Sequence, residues 1–223
     1  MKRILFFGDS ITDAGRSRER NQPMDASSYG NGYPIFVAGE LYKNDPTRYE
    51  IFNRGISGNR IVDLYSRIKS DVWNLKPDVL SILIGVNDIW HEVDWKNGVE
   101  IDRFEKVYRM LIEDTLKVLP DLKIILCEPF VLQGTATNNT EAIPDKFEQF
   151  CAVYKYAEVV KKLATEYGLF FLPLQEMLSK KAEQFGVEPI LIDGVHPMIG
   201  GAAMIADEWL KLFREKVDQT ATV

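Results

Sequence analysis

Cysteine and histidine are scarce in this chain of 223 residues, with only Cys127, Cys151, His91 and His196. Two cysteines cannot build a disulfide framework, and neither they nor the histidines fall at a metal-ligand spacing. Free thiols in a reducing cytoplasm are therefore expected. An excess of positive charge is also missing, since 27 basic residues face 33 acidic ones for a net charge of −6. That balance lacks the electrostatic footprint of a nucleic-acid binder and disfavours docking on anionic membranes. A neutral substrate suits it better. Long apolar runs are absent too, and no segment approaches the roughly 18 residues of a membrane span. The run after Arg3 covers only Ile4 to Phe7 before Gly8-Asp9 intervenes, so no secretory leader is expected. Without export, Asn138-Asn139-Thr140 has no glycosylation to accept.

What the sequence does contain is short apolar runs alternating with helical periodicity. Ile4-Leu5-Phe6-Phe7, closed by Gly8-Asp9-Ser10, reads as a buried parallel strand. Runs at 49–53, 79–85, 123–127 and 169–172 read the same way. Helices are predicted over 33–44, 60–75, 101–119, 145–167, 174–185 and 198–216. In the first, Phe36, Val37, Leu41 and Tyr42 form the apolar face. Ser57 or Asn59 is expected to cap the second, and Gly168 to close the fourth. The polar stretches 13–32 and 133–143 read as loops, the first long enough to be functional. This alternation predicts one α/β domain over residues 1–223, a five-stranded parallel sheet covered by helices on both faces. Every strand's carboxyl end then lies at one edge, where open α/β sheets hold their ligands.

That edge collects Ser10, Gly58, Asn87, Phe130 and the loop Asp193-Gly194-Val195-His196-Pro197. A serine hydroxyl is a weak nucleophile until a neighbouring base takes its proton. His196 is the candidate base, because Asp193, three residues earlier, can turn back and hold its tautomer. His91 has no such partner in sequence and reads as a rim histidine. Attack on an ester creates an oxyanion that needs preorganised donors. The backbone N–H groups of Ser10, at the start of a loop, and of Gly58, with the Asn87 amide, are the candidates. Asp9, Asp13 and Asp88 show no metal-ligand spacing, and Asp9 and Asp88 are expected to brace the loops around the nucleophile. The aromatics Tyr29, Tyr33, Trp90, Trp95 and Phe130 lie near the same edge; each fits a sugar or acyl pocket, or a core position.

Four blocks now stand in order: Gly8-Asp9-Ser10-Ile11, Gly55-Ile56-Ser57-Gly58-Asn59, Gly85-Val86-Asn87-Asp88 and Asp193-Gly194-Val195-His196-Pro197. Over essentially the whole chain they resemble the SGNH hydrolases, the GDSL-type esterases and lipases. The resemblance implies a flavodoxin-like three-layer α/β/α sandwich. It implies Ser10 as nucleophile, Asp193 and His196 as the rest of the triad, and Ser10, Gly58 and Asn87 as the oxyanion hole. Ile11 stands where the family name has leucine, a volume-conserving change. Gly8 to Asp13, Asn53 to Asn59 and Gly85 to Trp90 are similar to the intracellular acetylxylan esterase branch, which deacetylates xylo-oligosaccharides. Ile192 occupies a position where that branch is expected to carry an aromatic residue. By this likeness the protein is an acetylesterase that needs no cofactor and assembles as a homo-oligomer. Tyr33, Asp88, Trp90, Phe130 and Ile192 are the candidates for substrate contact. A carboxylesterase, lysophospholipase or thioesterase, or a non-catalytic carbohydrate-binding protein, are the competing readings.

Overall fold

The computed structural model describes residues 1–20 and 22–218. Among them five strands form one sheet: β1 (Lys2–Gly8), β2 (Tyr49–Asn53), β3 (Val79–Leu83), β4 (Lys123–Cys127) and β5 (Phe170–Leu172). Their order is β2-β1-β3-β4-β5, and every neighbouring pair is parallel. The helices, in chain order, are α1 (Ser10–Asp13), α2 (Tyr33–Asn44), α3 (Ile61–Asp71), α4 (Val86–Trp95) and α5 (Ile101–Val118). They continue as α6 (Lys146–Phe150), α7 (Val153–Glu166), α8 (Gln175–Phe185) and α9 (Ile199–Leu212). None of the described helices is long and apolar enough to cross a membrane.

The central strands are apolar on both sides because helices cover both faces. Phe6 and Phe7 demonstrate this, since consecutive strand residues point to opposite faces. Phe6 packs on Tyr33 of α2 and Trp209 of α9, while Phe7 lies against the Arg67 guanidinium of α3. Ser81, the polar residue within β3, accepts a hydrogen bond from Trp209 Nε1 at 3.0 Å, so its hydroxyl is buried with a partner. Register then fixes the edge: Gly8 pairs with Leu83, Phe6 with Asn53 and Leu83 with Cys127. The chain therefore leaves β1 and β3 side by side, with Ser10 two residues beyond one and Asn87 four beyond the other.

Several boundaries differ from those predicted. The helix α4 stands where the sequence reads as a strand closure, because it begins directly after Gly85. The predicted 145–167 helix splits into α6 and α7. There the N–H groups of Ala152, Tyr154 and Lys155 bond carbonyls three residues back rather than four, which tightens the chain and interrupts the α ladder. The helix predicted over 60–75 ends at Asp71 and is followed by a 3-10 turn, Trp73–Leu75. Neither Ser57 nor Asn59 caps it, and the Arg60 N–H is taken by Asp63 at 2.8 Å. The last predicted helix finishes in a π turn, Phe213–Val217. In α2 the buried residues are Tyr33, Pro34, Val37, Ala38 and Leu41, whereas Phe36 and Tyr42 are only partly covered.

Candidate active site

Asp9 follows β1 and caps α1, its Oδ1 accepting the Ile11 N–H at 3.0 Å. Ser10 is thus the first residue of a one-turn helix rather than of a loop, where a backbone N–H has no intrahelical partner. Its Oγ lies 2.8 Å from His196 Nε2, and His196 Nδ1 lies 2.7 Å from Asp193 Oδ2. Asp193 Oδ1 also accepts the N–H groups of Val195 and His196, at 2.9 and 2.8 Å. The turn is closed by a bridge between Leu191 and Pro197 and by the Ile192 N–H on His196 O at 2.9 Å.

A segment that reads only as a polar loop moors this turn. The Leu132 N–H donates to Gly194 O at 2.8 Å, and the Ala136 N–H to Asp193 O at 3.0 Å. Thr137 Oγ1 donates to Leu132 O at 2.7 Å and accepts the Gly134 N–H at 2.8 Å. Gly194 is required at the turn: its φ is +96°, and an added Cβ would collide with Leu132 O.

The loop after β2 comes to the same place. The Ile56 N–H donates to Gly8 O at 3.0 Å, and Asp13 accepts the Ser57 N–H and hydroxyl at 2.9 and 3.0 Å. Asn87, in the first turn of α4, donates from Nδ2 to Asn59 O at 3.1 Å, which ties α4 to Gly58's neighbour and leaves one amide hydrogen. Neither the Ser10 nor the Gly58 N–H donates to another group among the described residues. Asp88 turns inward and accepts the Ile61 N–H at 3.0 Å, holding the start of α3.

These contacts set the charges. The hydrogen bond to Asp193 holds the His196 pKa above its ordinary value, and burial opposes it. Burial pushes Asp193 up, yet its bonds to His196 and to two backbone N–H groups outweigh this and leave it low. Asp9 is buried with no partner for Oδ2 among the described residues, and desolvation pushes its pKa up to about 7 against the Ile11 N–H. Burial likewise raises Asp88 well above the carboxylate range.

Of the candidates for substrate contact, Trp90 is half-buried with its ring 5.8 Å from that of His196, and Ile192 is 48% exposed. Tyr33, Asp88 and Phe130 have exposures of 1%, 0% and 0%, so the expected contact with substrate is not open to them. Tyr33 and Phe130 belong to the core, and Asp88 to the loop brace. His91 packs edge-on against the exposed Trp95, 4.9 Å between rings, and Tyr29 is buried. Sequence reasoning missed Thr137 and Arg67. Thr137 carries no local signal, whereas Arg67 and Asp71 stand at the i,i+4 spacing of a helical ion pair.

A hydroxyl, an imidazole and a carboxylate in hydrogen-bonded series, beside free N–H groups, is an arrangement suited to acyl transfer. Residues 6–203 match the GDSL-like lipase/acylhydrolase family, and the chain belongs to it. It is a carboxylic ester hydrolase. It is 32% identical over 215 residues to the acetylxylan esterase of Geobacillus stearothermophilus, covering 94% of this chain and 93% of that one. The solved structure of that esterase, Axe2, superposes with a TM-score of 0.82 at 30% identity, covering 96% and 95% of the two chains. Two further structures of it are catalytic mutants, one with a serine and one with an aspartate changed to alanine. A GDSL-like lipase from Parabacteroides merdae superposes with a TM-score of 0.84 at 35% identity, covering 94% of each chain.

Proposed function

We propose that the protein is a serine esterase that removes acetyl groups from O-acetylated xylo-oligosaccharides or related sugars. The observation that carries this reading is the continuous series from Ser10 Oγ through His196 to Asp193, at 2.8 and 2.7 Å. Ser10 Oγ attacks the ester carbonyl while its proton passes to His196 Nε2, and Asp193 stabilises the imidazolium. The carbonyl oxygen becomes an oxyanion held by the Ser10 and Gly58 N–H groups and the Asn87 amide. Collapse breaks the bond to the sugar oxygen, which leaves with the proton from His196. Water, deprotonated by His196, then attacks the acetyl-Ser10 ester, and the second collapse returns the proton to Ser10 and releases acetate. The acetylxylan esterase relative supports the acyl group, and its catalytic mutants at a serine and at an aspartate support the residue roles. Both cysteines are free, which supports a reducing compartment.

The exposed aliphatic Ile192 beside Asp193 favours a broader reading, a carboxylesterase, lysophospholipase or thioesterase working through the same residues. Turnover of p-nitrophenyl acetate against octanoate, then of acetylated xylose against acyl-CoA, separates the two. A preference for octanoate of about tenfold or more sinks the acetylesterase reading. Ser10→Ala is expected to lower kcat by roughly 10⁴-fold or more with an unchanged melting temperature. Activity equal to the parent's in that variant refutes the nucleophile.

A further inference from the structure

Every backbone segment that carries an oxyanion donor is tied to one guanidinium that lies outside the site. Arg67 projects from α3, and its side chain is only 13% exposed. Its Nη2 donates to Gly8 O at 3.1 Å, two residues before Ser10. Its Nη1 donates to Arg54 O and its Nε to Asn59 Oδ1, both at 2.8 Å, so it grips the loop on either side of Gly58. Asn59 in turn accepts the Asn87 amide through its backbone oxygen at 3.1 Å. Asp71, one helical turn on, fixes the guanidinium from behind at 2.6 Å, and the Phe7 ring lies 4.3 Å beneath it.

We infer that Arg67 is the positioning residue of the oxyanion hole, setting the separation between the Ser10 turn and the Gly58 loop. A planar fork with donors in fixed directions can hold three acceptors from two segments, whereas an ammonium is a single point charge. Burial lowers the Arg67 pKa, yet Asp71 opposes this, and the group remains a cation. Arg67 has no hydrogen bond or ion pair to His196 or Asp193, so its effect falls on stabilisation of the tetrahedral intermediate and not on proton transfer. The inference rests on the esterase reading above.

The test is Arg67→Lys, with kcat expressed per site titrated to completion by a serine-directed organophosphonate. kcat is expected to fall roughly 10- to 100-fold, the cost of a misplacement near 1 Å, with KM changed less than about threefold. Affinity for a trifluoromethyl ketone, which mimics the tetrahedral state, should fall in parallel with kcat/KM. The acid limb of the pH profile, set by His196, should stay where it is. A kcat per titrated site within about threefold of the parent overturns the inference, as does a loss explained wholly by fewer titratable sites. If Arg67→Lys does not fold, Asn59→Ala removes one of the three grips and is expected to cost about three- to tenfold, with the same signature. A change below about twofold there overturns the inference as well. A parent that neither hydrolyses acetyl esters nor takes label at Ser10 overturns the esterase reading and this inference with it.

Discussion

The Trp90 indole lies against the His196 imidazole, with centroids 5.8 Å apart and planes tilted by 49°. The indole is itself pinned. Its Nε1 donates to Asp94 at 2.7 Å, Asp94 is paired with Lys146 at 3.0 Å, and Phe150 meets the indole edge-on at 5.6 Å. The short helix α6 therefore supports the wall beside the proposed base. Trp90→Ala is expected to lower kcat/KM by about tenfold, because the imidazole loses a packing partner and gains rotamer freedom. Trp90→Phe, which keeps a ring but drops the bond to Asp94, should cost about threefold. Steady-state kinetics of both variants check the order.

Under the proposed mechanism the pH profile follows from the proton His196 takes. As a base it works only when neutral, and Asp193 holds its pKa above 6.5. Activity should therefore fall as pH drops through a value higher than that of an ordinary histidine. Asp193→Asn removes the first cause of that shift, so the acid limb should move to lower pH while kcat falls by up to about 10⁴-fold. An acid limb that does not move in this variant contradicts the pairing.

Gly58 has a φ of +82°, and an added Cβ there would meet nothing within 4 Å. Any harm done by Gly58→Ala is therefore conformational rather than steric, at about 1–2 kcal/mol of left-handed backbone. Relaxation of the loop should displace the N–H and lower kcat by roughly 10- to 100-fold, with little change in KM. Parallel measurement of kcat and KM decides this.

Asp9 makes stability depend on pH in an uncommon direction. Its folded pKa, about 7, exceeds the ordinary 3.8, so the native state holds a proton that the unfolded chain releases between these values. The stability Asp9 contributes is present below pH 3.8 and is lost as pH rises through about 7. Asp9→Asn keeps an acceptor for the Ile11 N–H and carries no charge. Relative to the parent it should be more stable at about pH 8 than at about pH 5, as read by urea unfolding. An equal difference at both values would mean that Asp9 ionises normally.

The strands β1, β3 and β4 are legible because burial on both faces leaves runs that are apolar almost throughout, and the blocks carrying Ser10, Gly58, Asn87, Asp193 and His196 are legible through their order. α4 is not, since Gly85-Val86-Asn87-Asp88 reads as a strand end until the structure shows a helix starting there. The break at Cys151-Ala152 has no glycine or proline to announce it. Aromatic character alone could not divide Trp90, which faces the site, from Tyr33 and Phe130, which fill the core. The spacing of Arg67 and Asp71 reads only as a helical ion pair, and two further partners of Arg67, Gly8 O and Arg54 O, are backbone atoms of distant segments. Backbone acceptors leave no mark on a sequence.

The mooring of the Asp193 turn on residues 132–137 divides one excursion of the chain into two regimes. The first half is bolted to the Asp193 turn, while residues 138–142 beyond it are exposed to solvent. Replacing or lengthening that tip leaves the bonds between residues 132–137 and the turn in place. The excursion can therefore drift in sequence or length at its tip while the turn that carries the proposed base keeps its anchor.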